Sequence, residues 1–263
     1  MDLGLKGKVA LVTAASEGLG FACAARLAEA GCAVAICARR SAELEAARTR
    51  LAQGGARDVL AVPADIADGA AVAQLIDRTL AHFGRIDILV VNSGLVDYGG
   101  IEELNDAQWQ HAYDLLLMST VRLTRLCLPA MRANQGGDIV FLGSATVREP
   151  PPQLLLSTVM RLGVVGLAKT LARALAPDNI RVNLVAPGYF DAGRVTRRVD
   201  ALMRDEGLGR AEAEAQVAGD VPMGRIGRAE ELAELVAFVV SRKAGFMTGS
   251  MISIDGGGTR ALF

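Results

Sequence analysis

The sequence predicts a doubly wound α/β fold: one parallel sheet with helices on both faces, in a single domain over residues 1–263. Three observations predict it. Short apolar runs alternate with amphipathic stretches along the whole chain. The runs are apolar throughout instead of at every second residue, which suits strands covered on both faces. The chain is 51% hydrophobic and 22% charged, enough to bury a sizeable core and too apolar for a disordered chain.

The elements follow in order. Val9–Thr13 reads as the first strand and Gly18–Ala30 as a helix, with Leu19, Ala22, Cys23 and Leu27 on one stripe. Ala33–Cys37 is a second strand and Ser41–Gln53 a second helix. Strands at Val59–Val62, Ile88–Val91, Asp138–Gly143 and Arg181–Val185 follow, each separated by a helical stretch, and Met251–Ile254 closes the series. The charged segment 189–222 reads as a helical lid over a site, within the same domain.

Composition excludes several function classes. Lys and Arg total 28 against 29 Asp and Glu, so nothing favours bulk binding to nucleic acid. No apolar run is expected to reach the roughly 18–20 residues of a membrane span. The N-terminus lacks the basic start and small-residue cleavage site of a signal peptide. The four cysteines, Cys23, Cys32, Cys37 and Cys127, show no metal-ligand spacing. The expectation is reduced thiols, no metal and a cytoplasmic location.

The segment from Thr13 to Gly20, TAASEGLG, joins the first strand to the first helix. Gly18 and Gly20 let the backbone approach a pyrophosphate, and the helix N-terminus supplies positive potential. Turn glycines without a ligand are the competing reading; the strand–loop–helix setting favours a dinucleotide. The end of the second strand indicates which one. An acid there would bind ribose hydroxyls and favour NAD, but the residues are Ala38, Arg39 and Arg40. Two guanidinium groups suit a 2′-phosphate and hence NADP(H). Two surface arginines opening a helix are the alternative, NAD(H) is not excluded, and Glu17 in the loop pulls the other way.

With these motifs in view, the chain resembles the short-chain dehydrogenase/reductases, and among them the 3-oxoacyl-carrier-protein reductase-like group. TAASEGLG resembles the family's Thr-Gly-x-x-x-Gly-x-Gly. VNSG, Val91 to Gly94, resembles Asn-Asn-Ala-Gly, and Ile180 to Gly188 and Met247 to Gly257 resemble two later signatures. The resemblance spans essentially the whole chain. It implies a Rossmann-type fold and an oxidoreductase acting on a carbonyl or alcohol. It also implies a cofactor site at Thr13, Ser16, Gly18, Leu19, Gly20, Arg39, Arg40, Asp65, Ile66, Asn92, Gly94, Arg161, Pro187, Gly188 and Phe190.

The family's reductases use Asn, Ser, Tyr and Lys. Ser144 matches the Ser. Thirteen residues on, where the family has Tyr, stands Ser157; four further, for Lys, stands Arg161. Seven residues after Trp109, for the relay Asn, stands Leu116. Ala14 replaces the first loop glycine, and Ala192 stands where a Thr usually follows Pro-Gly. A serine hydroxyl is shorter than a phenol and far less acidic than its pKa of about 10. A positioned general acid contributes roughly 10²–10⁴-fold in rate, so the standard reaction should nearly vanish. Arg161 keeps the charge that would hold a ribose.

Tyr98 and Tyr189, in loops on the substrate side, are the candidate replacement acids, with amphipathic loop tyrosines as the alternative. His82 and His111 read as helix-surface residues. Arg194, Arg197, Arg198 and Arg204 suit an anionic substrate or a solvated helix face. Three functions therefore stay open: an oxidoreductase with rearranged proton transfer, a redox-inactive dinucleotide-binding subunit partnering an intact homologue, and lyase-like chemistry. The resemblance further implies a homotetramer or dimer, or a hetero-oligomer with an intact homologue. Apolar faces at Leu115–Met118, Val121, Leu123, Leu162–Leu175 and Met247–Ile254 would supply the interfaces.

Overall fold

The computed structural model describes residues 2–262. Seven strands form one sheet: β1 (Val9–Val12), β2 (Ala33–Ala38), β3 (Val59–Pro63), β4 (Ile88–Val91), β5 (Gly137–Leu142), β6 (Ile180–Pro187) and β7 (Met251–Ile254). Their order is 3-2-1-4-5-6-7 and every pairing is parallel. The strands expected from the sequence are all present, with ends shifted by one or two residues at most. The helices are α1 (Gly18–Glu29), α2 (Ser41–Gln53), α3 (Gly69–Phe83), α4 (Asp106–Ala112), α5 (Ser119–Ala133), α6 (Leu155–Leu175), α7 (Arg194–Asp205), α8 (Arg210–Val217) and α9 (Ala229–Val239).

Two apolar cores lie on opposite faces of the sheet. Leu11 packs into one with α3, α5 and α6; its neighbours Ala10 and Val12 pack into the other with α1, α2 and α9. Alternate strand residues point to opposite faces, and both faces are dry, which is why the strands carry no alternation.

Two sequence expectations need correction. The stretch Leu155–Asp178 is long and apolar enough to cross a membrane, with mean hydropathy 1.4. It serves as a core helix. Leu156, Met160, Val164, Ala168 and Ala172 recur every fourth residue and pack on the sheet. The second correction concerns the interface faces. Leu115, Leu116 and Leu123 are buried in the chain's own core. The exposed apolar positions on those helices and their junction are Tyr113, Val159 and Leu162.

Between α4 and α5 the chain widens into a π-helical stretch, Tyr113–Met118. Ser119 and Thr120 place their hydroxyls on the carbonyls of Leu115 and Leu116, at 2.6 and 2.9 Å. Side-chain donors thus meet carbonyls in the stretch where the regular ladder is interrupted.

Candidate active site

A cavity of about 1140 Å³ opens along the C-terminal ends of β1 to β6. This is where an open parallel sheet binds its ligands, beside the point where strand order reverses. Each strand hands over at this edge to a loop that lines it: Ala14, Arg39, Asp65, Asn92 to Gly94, Gly143 to Ser144, and Pro187 to Gly188.

The loop after β1 is built for close approach. Gly18 has φ +58° and Ala14 φ +47°. A glycine takes that left-handed conformation freely, whereas a Cβ strains it, so Ala14 carries a cost that a glycine would not. A Cβ on Gly20 would lie 2.7 Å from Asn92 Nδ2 and closer still to the Ala14 carbonyl. Thr13 Oγ1 donates to the Asn92 carbonyl at 2.6 Å and accepts from the Asn92 N–H, while Asn92 Nδ2 donates to Ala14 O at 3.1 Å. Thr13 and Gly20 are both buried behind the loop, which they brace, and are not among the residues lining the cavity. Ser16, Gly18 and Leu19 do line it. Glu17, at the N-cap of α1, makes no side-chain cap, so the backbone N–H groups of the first turn keep their capacity for an anion.

Glu17 is instead held by Arg40 at 3.5 Å, and Arg40 also pairs with Glu43 at 3.0 Å. Among the described residues, Arg39 forms no ion pair and stands exposed on the cavity rim. Asp65 accepts from the N–H of Ala67 at 3.0 Å, which fixes its turn, and Ile66 and Gly94 complete this wall.

At the other end lie Ser144, Ser157 and Arg161. Ser157 and Arg161 are one turn apart on α6, and Arg161 Nε donates to Ser157 Oγ at 3.2 Å. Arg161 Nη1 donates to the carbonyls of Leu142 and Gly143 at 2.7 and 3.1 Å, and Nη2 to Ser93 Oγ at 3.4 Å. Every acceptor is neutral. Burial, with Arg194 nearby adding like charge, lowers the Arg161 pKa to about 10. Ser144 Oγ shares a hydrogen bond with Thr146 Oγ1 at 2.8 Å. Leu116 sits in the core and does not line the cavity.

The segment 189–222 contributes α7 and α8, which hold a small core of their own from Val199, Leu202 and Ala213. Arg194 opens α7 and stacks on Tyr98, its Cζ 4.3 Å from the ring centroid. Tyr98 and Tyr189, 54% and 48% exposed, both line the cavity. Gly188 backs onto Asp255, whose Cβ would lie 2.6 Å from an added Cβ. Phe190 lines the cavity but is mostly buried against Gly227. Arg197 and Arg198 also line the cavity. Arg204 pairs with Asp205, His82 with Asp58, and His111 is exposed away from the cavity.

The sequence reading missed Ser93, Thr146, Glu149 and Arg260 in the wall. Ser93 was accessible: it stands in VNSG where the resembling motif has Ala. Glu149 accepts from the backbone of Arg260 and Ala261, more than 100 residues on, and no local signal announces that.

A family model described as enoyl-(acyl carrier protein) reductase matches residues 13–259. Dehydrogenase/reductase SDR family member 4 of Caenorhabditis elegans is 34% identical over 253 residues, covering 96% of this chain and 95% of that protein. The 3-oxoacyl-[acyl-carrier-protein] reductase of Escherichia coli is 31% identical over 255 residues, covering 97% and 98%. The structure of L-sorbose reductase from Gluconobacter frateurii, complexed with NADPH and L-sorbose, matches with a TM-score of 0.96. It is 33% identical, and each chain is covered in full.

Proposed function

This chain belongs to the short-chain dehydrogenase/reductase family of NAD(P)-dependent oxidoreductases, and we propose that it uses NADP(H) on a carbonyl or alcohol through a rearranged proton-transfer site. One observation carries the reading. A single cavity joins the glycine loop and Arg39 to Ser144, Ser157 and Arg161.

The residues fit a dinucleotide. The crowding at Gly20 leaves no room for a side chain, and the open first turn of α1 suits a pyrophosphate. Ser16, Gly18 and Leu19 would hold that group, Arg39 a 2′-phosphate, and Asp65 and Ile66 the adenine end. Asn92 and Gly94 would support the middle, and Pro187, Gly188 and Phe190 the nicotinamide end. Arg161 would hold the ribose. NADPH held there would supply a hydride equivalent for a carbonyl carbon.

The chain's own residues then handle the oxygen. Ser144 orients it, with Thr146 as the other partner of its hydroxyl. Ser157 accepts from Arg161, so its own proton is free for the cavity. No phenol stands one turn before Arg161, so the proton that turns the oxygen into an alcohol comes from Tyr98, Tyr189 or a water. That same feature favours the second reading, a dinucleotide-binding subunit without turnover.

Calorimetry with NADPH and a turnover screen on activated ketones decide between them. Binding with turnover that falls in Tyr98→Phe or Tyr189→Phe supports the enzyme and names the acid. Binding without turnover supports the subunit, and no binding sinks both.

A further inference from the structure

The structure leaves two arginines facing the substrate end of the cavity without an acid. Arg161 spends its donors on two backbone carbonyls and two serine hydroxyls. Arg194 has one face covered by the Tyr98 ring, and its Nε is shut off from solvent with no acceptor. Burial lowers the pKa of both, and Arg194 lowers that of Arg161 further. Several other partly buried cations are paired, Lys8 and Arg181 sharing Asp138 and Arg122 pairing with Asp114, whereas Arg148 forms no ion pair among the described residues.

None of the acids on the cavity wall pairs with Arg161 or Arg194: Glu17 is held by Arg40, Asp65 by its own turn, and Asp220, on the same wall, forms no ion pair among the described residues. Glu149 is taken by the backbone N–H groups of Arg260 and Ala261, and Asp255 by those of Gly257 and Thr259. Among the described residues, Arg161, Arg194, Arg197 and Arg198 form no ion pair. An adjoining hollow of about 710 Å³ is walled by Leu95, Tyr98, Gln153, Arg194, Arg197 and Arg198. Desolvated like charges on one cavity wall are costly, and an anion bound there lowers that cost.

We propose that the substrate carries a carboxylate, seated on the edge of the Arg194 guanidinium, with Arg161 adding charge from the cavity floor. The inference rests on the cavity being the cofactor and substrate cleft. The geometry suits a carboxylate. With its face stacked on Tyr98 and its Nε shut off, Arg194 offers a ligand its two terminal nitrogens, whose N–H groups match two coplanar oxygens. A phosphate-bearing arm would instead seek the exposed Arg197 and Arg198.

The test titrates pyruvate, acetoacetate and levulinate, each beside its methyl ester, into cofactor-free and NADPH-saturated protein by calorimetry. Inorganic phosphate and coenzyme A run alongside. At least one acid should bind about tenfold or more tighter than its ester, the worth of one charge-assisted pair. Arg194→Gln should erase that contrast and Arg194→Lys retain part of it, with thermal unfolding showing both variants folded. Acids and esters binding alike at every length, a contrast that survives Arg194→Gln, or a preference for phosphate or coenzyme A would each overturn the proposal. Failure of NADPH to bind would instead overturn the cofactor reading, because the contrast in cofactor-free protein is scored separately.

Discussion

Arg161 Nε donates to Ser157 Oγ, one turn earlier on α6, at 3.2 Å. The two side chains form a unit. The guanidinium reaches past Ser157 to the end of β5 and to Ser93, ground that a shorter ammonium would not span in the same way. Changing one residue therefore leaves the other without its partner.

The first prediction follows from that coupling. Ser157→Tyr with Arg161→Lys should raise NADPH-dependent reduction of an activated ketone by roughly 10²-fold over the parent, the low end of what a positioned acid supplies. Either change alone should give little. Adding Leu116→Asn completes the resembling set, but Leu116 is buried in the core. That third change should cost about 1–3 kcal/mol of stability, read as a lower melting temperature. A parent that already reduces such ketones at the double variant's rate would show that the acid lies elsewhere.

Cofactor choice is the second. Arg39 is exposed on the cavity rim, whereas Arg40 is engaged by Glu17 and Glu43. NADPH should bind more tightly than NADH, and Arg39→Asp should reverse the order, each by about tenfold or more. Calorimetry with both nucleotides on both proteins checks it, and an Arg40→Asp variant should shift the ratio less.

Loop strain gives the third. Ala14 sits at φ +47°, a conformation costing an L-residue roughly 1–2 kcal/mol. Ala14→Gly should relieve part of it and raise stability by about 1 kcal/mol in denaturant unfolding, net of the entropy a glycine adds to the unfolded chain. Gly20→Ala should do the reverse, because its Cβ meets Asn92 and the Ala14 carbonyl. A neutral Gly20→Ala would show that the loop yields more easily than its packing implies.

The fourth is acid sensitivity. Glu231 accepts from Arg225 and from the N–H of Arg228, and these bonds lower its pKa from 4.5 to about 2. A carboxylate depressed on folding stabilises fully above its unfolded pKa and loses that contribution as pH falls toward the folded one. The stability gap between parent and Glu231→Gln should therefore be constant above about pH 5 and close toward pH 2. Unfolding titrations across that window measure it.

The fifth concerns the thiols. All four cysteines are buried and free, and burial pushes each pKa to about 12. The folded protein at pH 8 should react with a thiol reagent far more slowly than the unfolded chain, which should release all four.

The strands, the loop glycines and the glycine-loop end of the cavity were legible in the sequence because they rest on neighbours along the chain. An unbroken apolar run such as Ile88–Val91 announces a doubly covered strand. Arg39 announces itself by following Ala38 at a strand end. The end lined by Tyr98 and Arg194 was legible only as a set of residue types. Arg194 appeared as one member of a basic helix face, and Tyr98 as a loop phenol.

The sequence by itself determined the alternation of strands and helices and the chemistry available at each strand end. The tertiary structure decided which of those groups meet. It placed Arg194 on Tyr98 across 96 residues, gave Ser93 to Arg161, put Leu116 into the core and hid Thr13 behind its loop. The physical reason is range. Hydrophobic periodicity and turn chemistry act over a few residues, but a guanidinium's partners depend on where the whole sheet sets its strand ends.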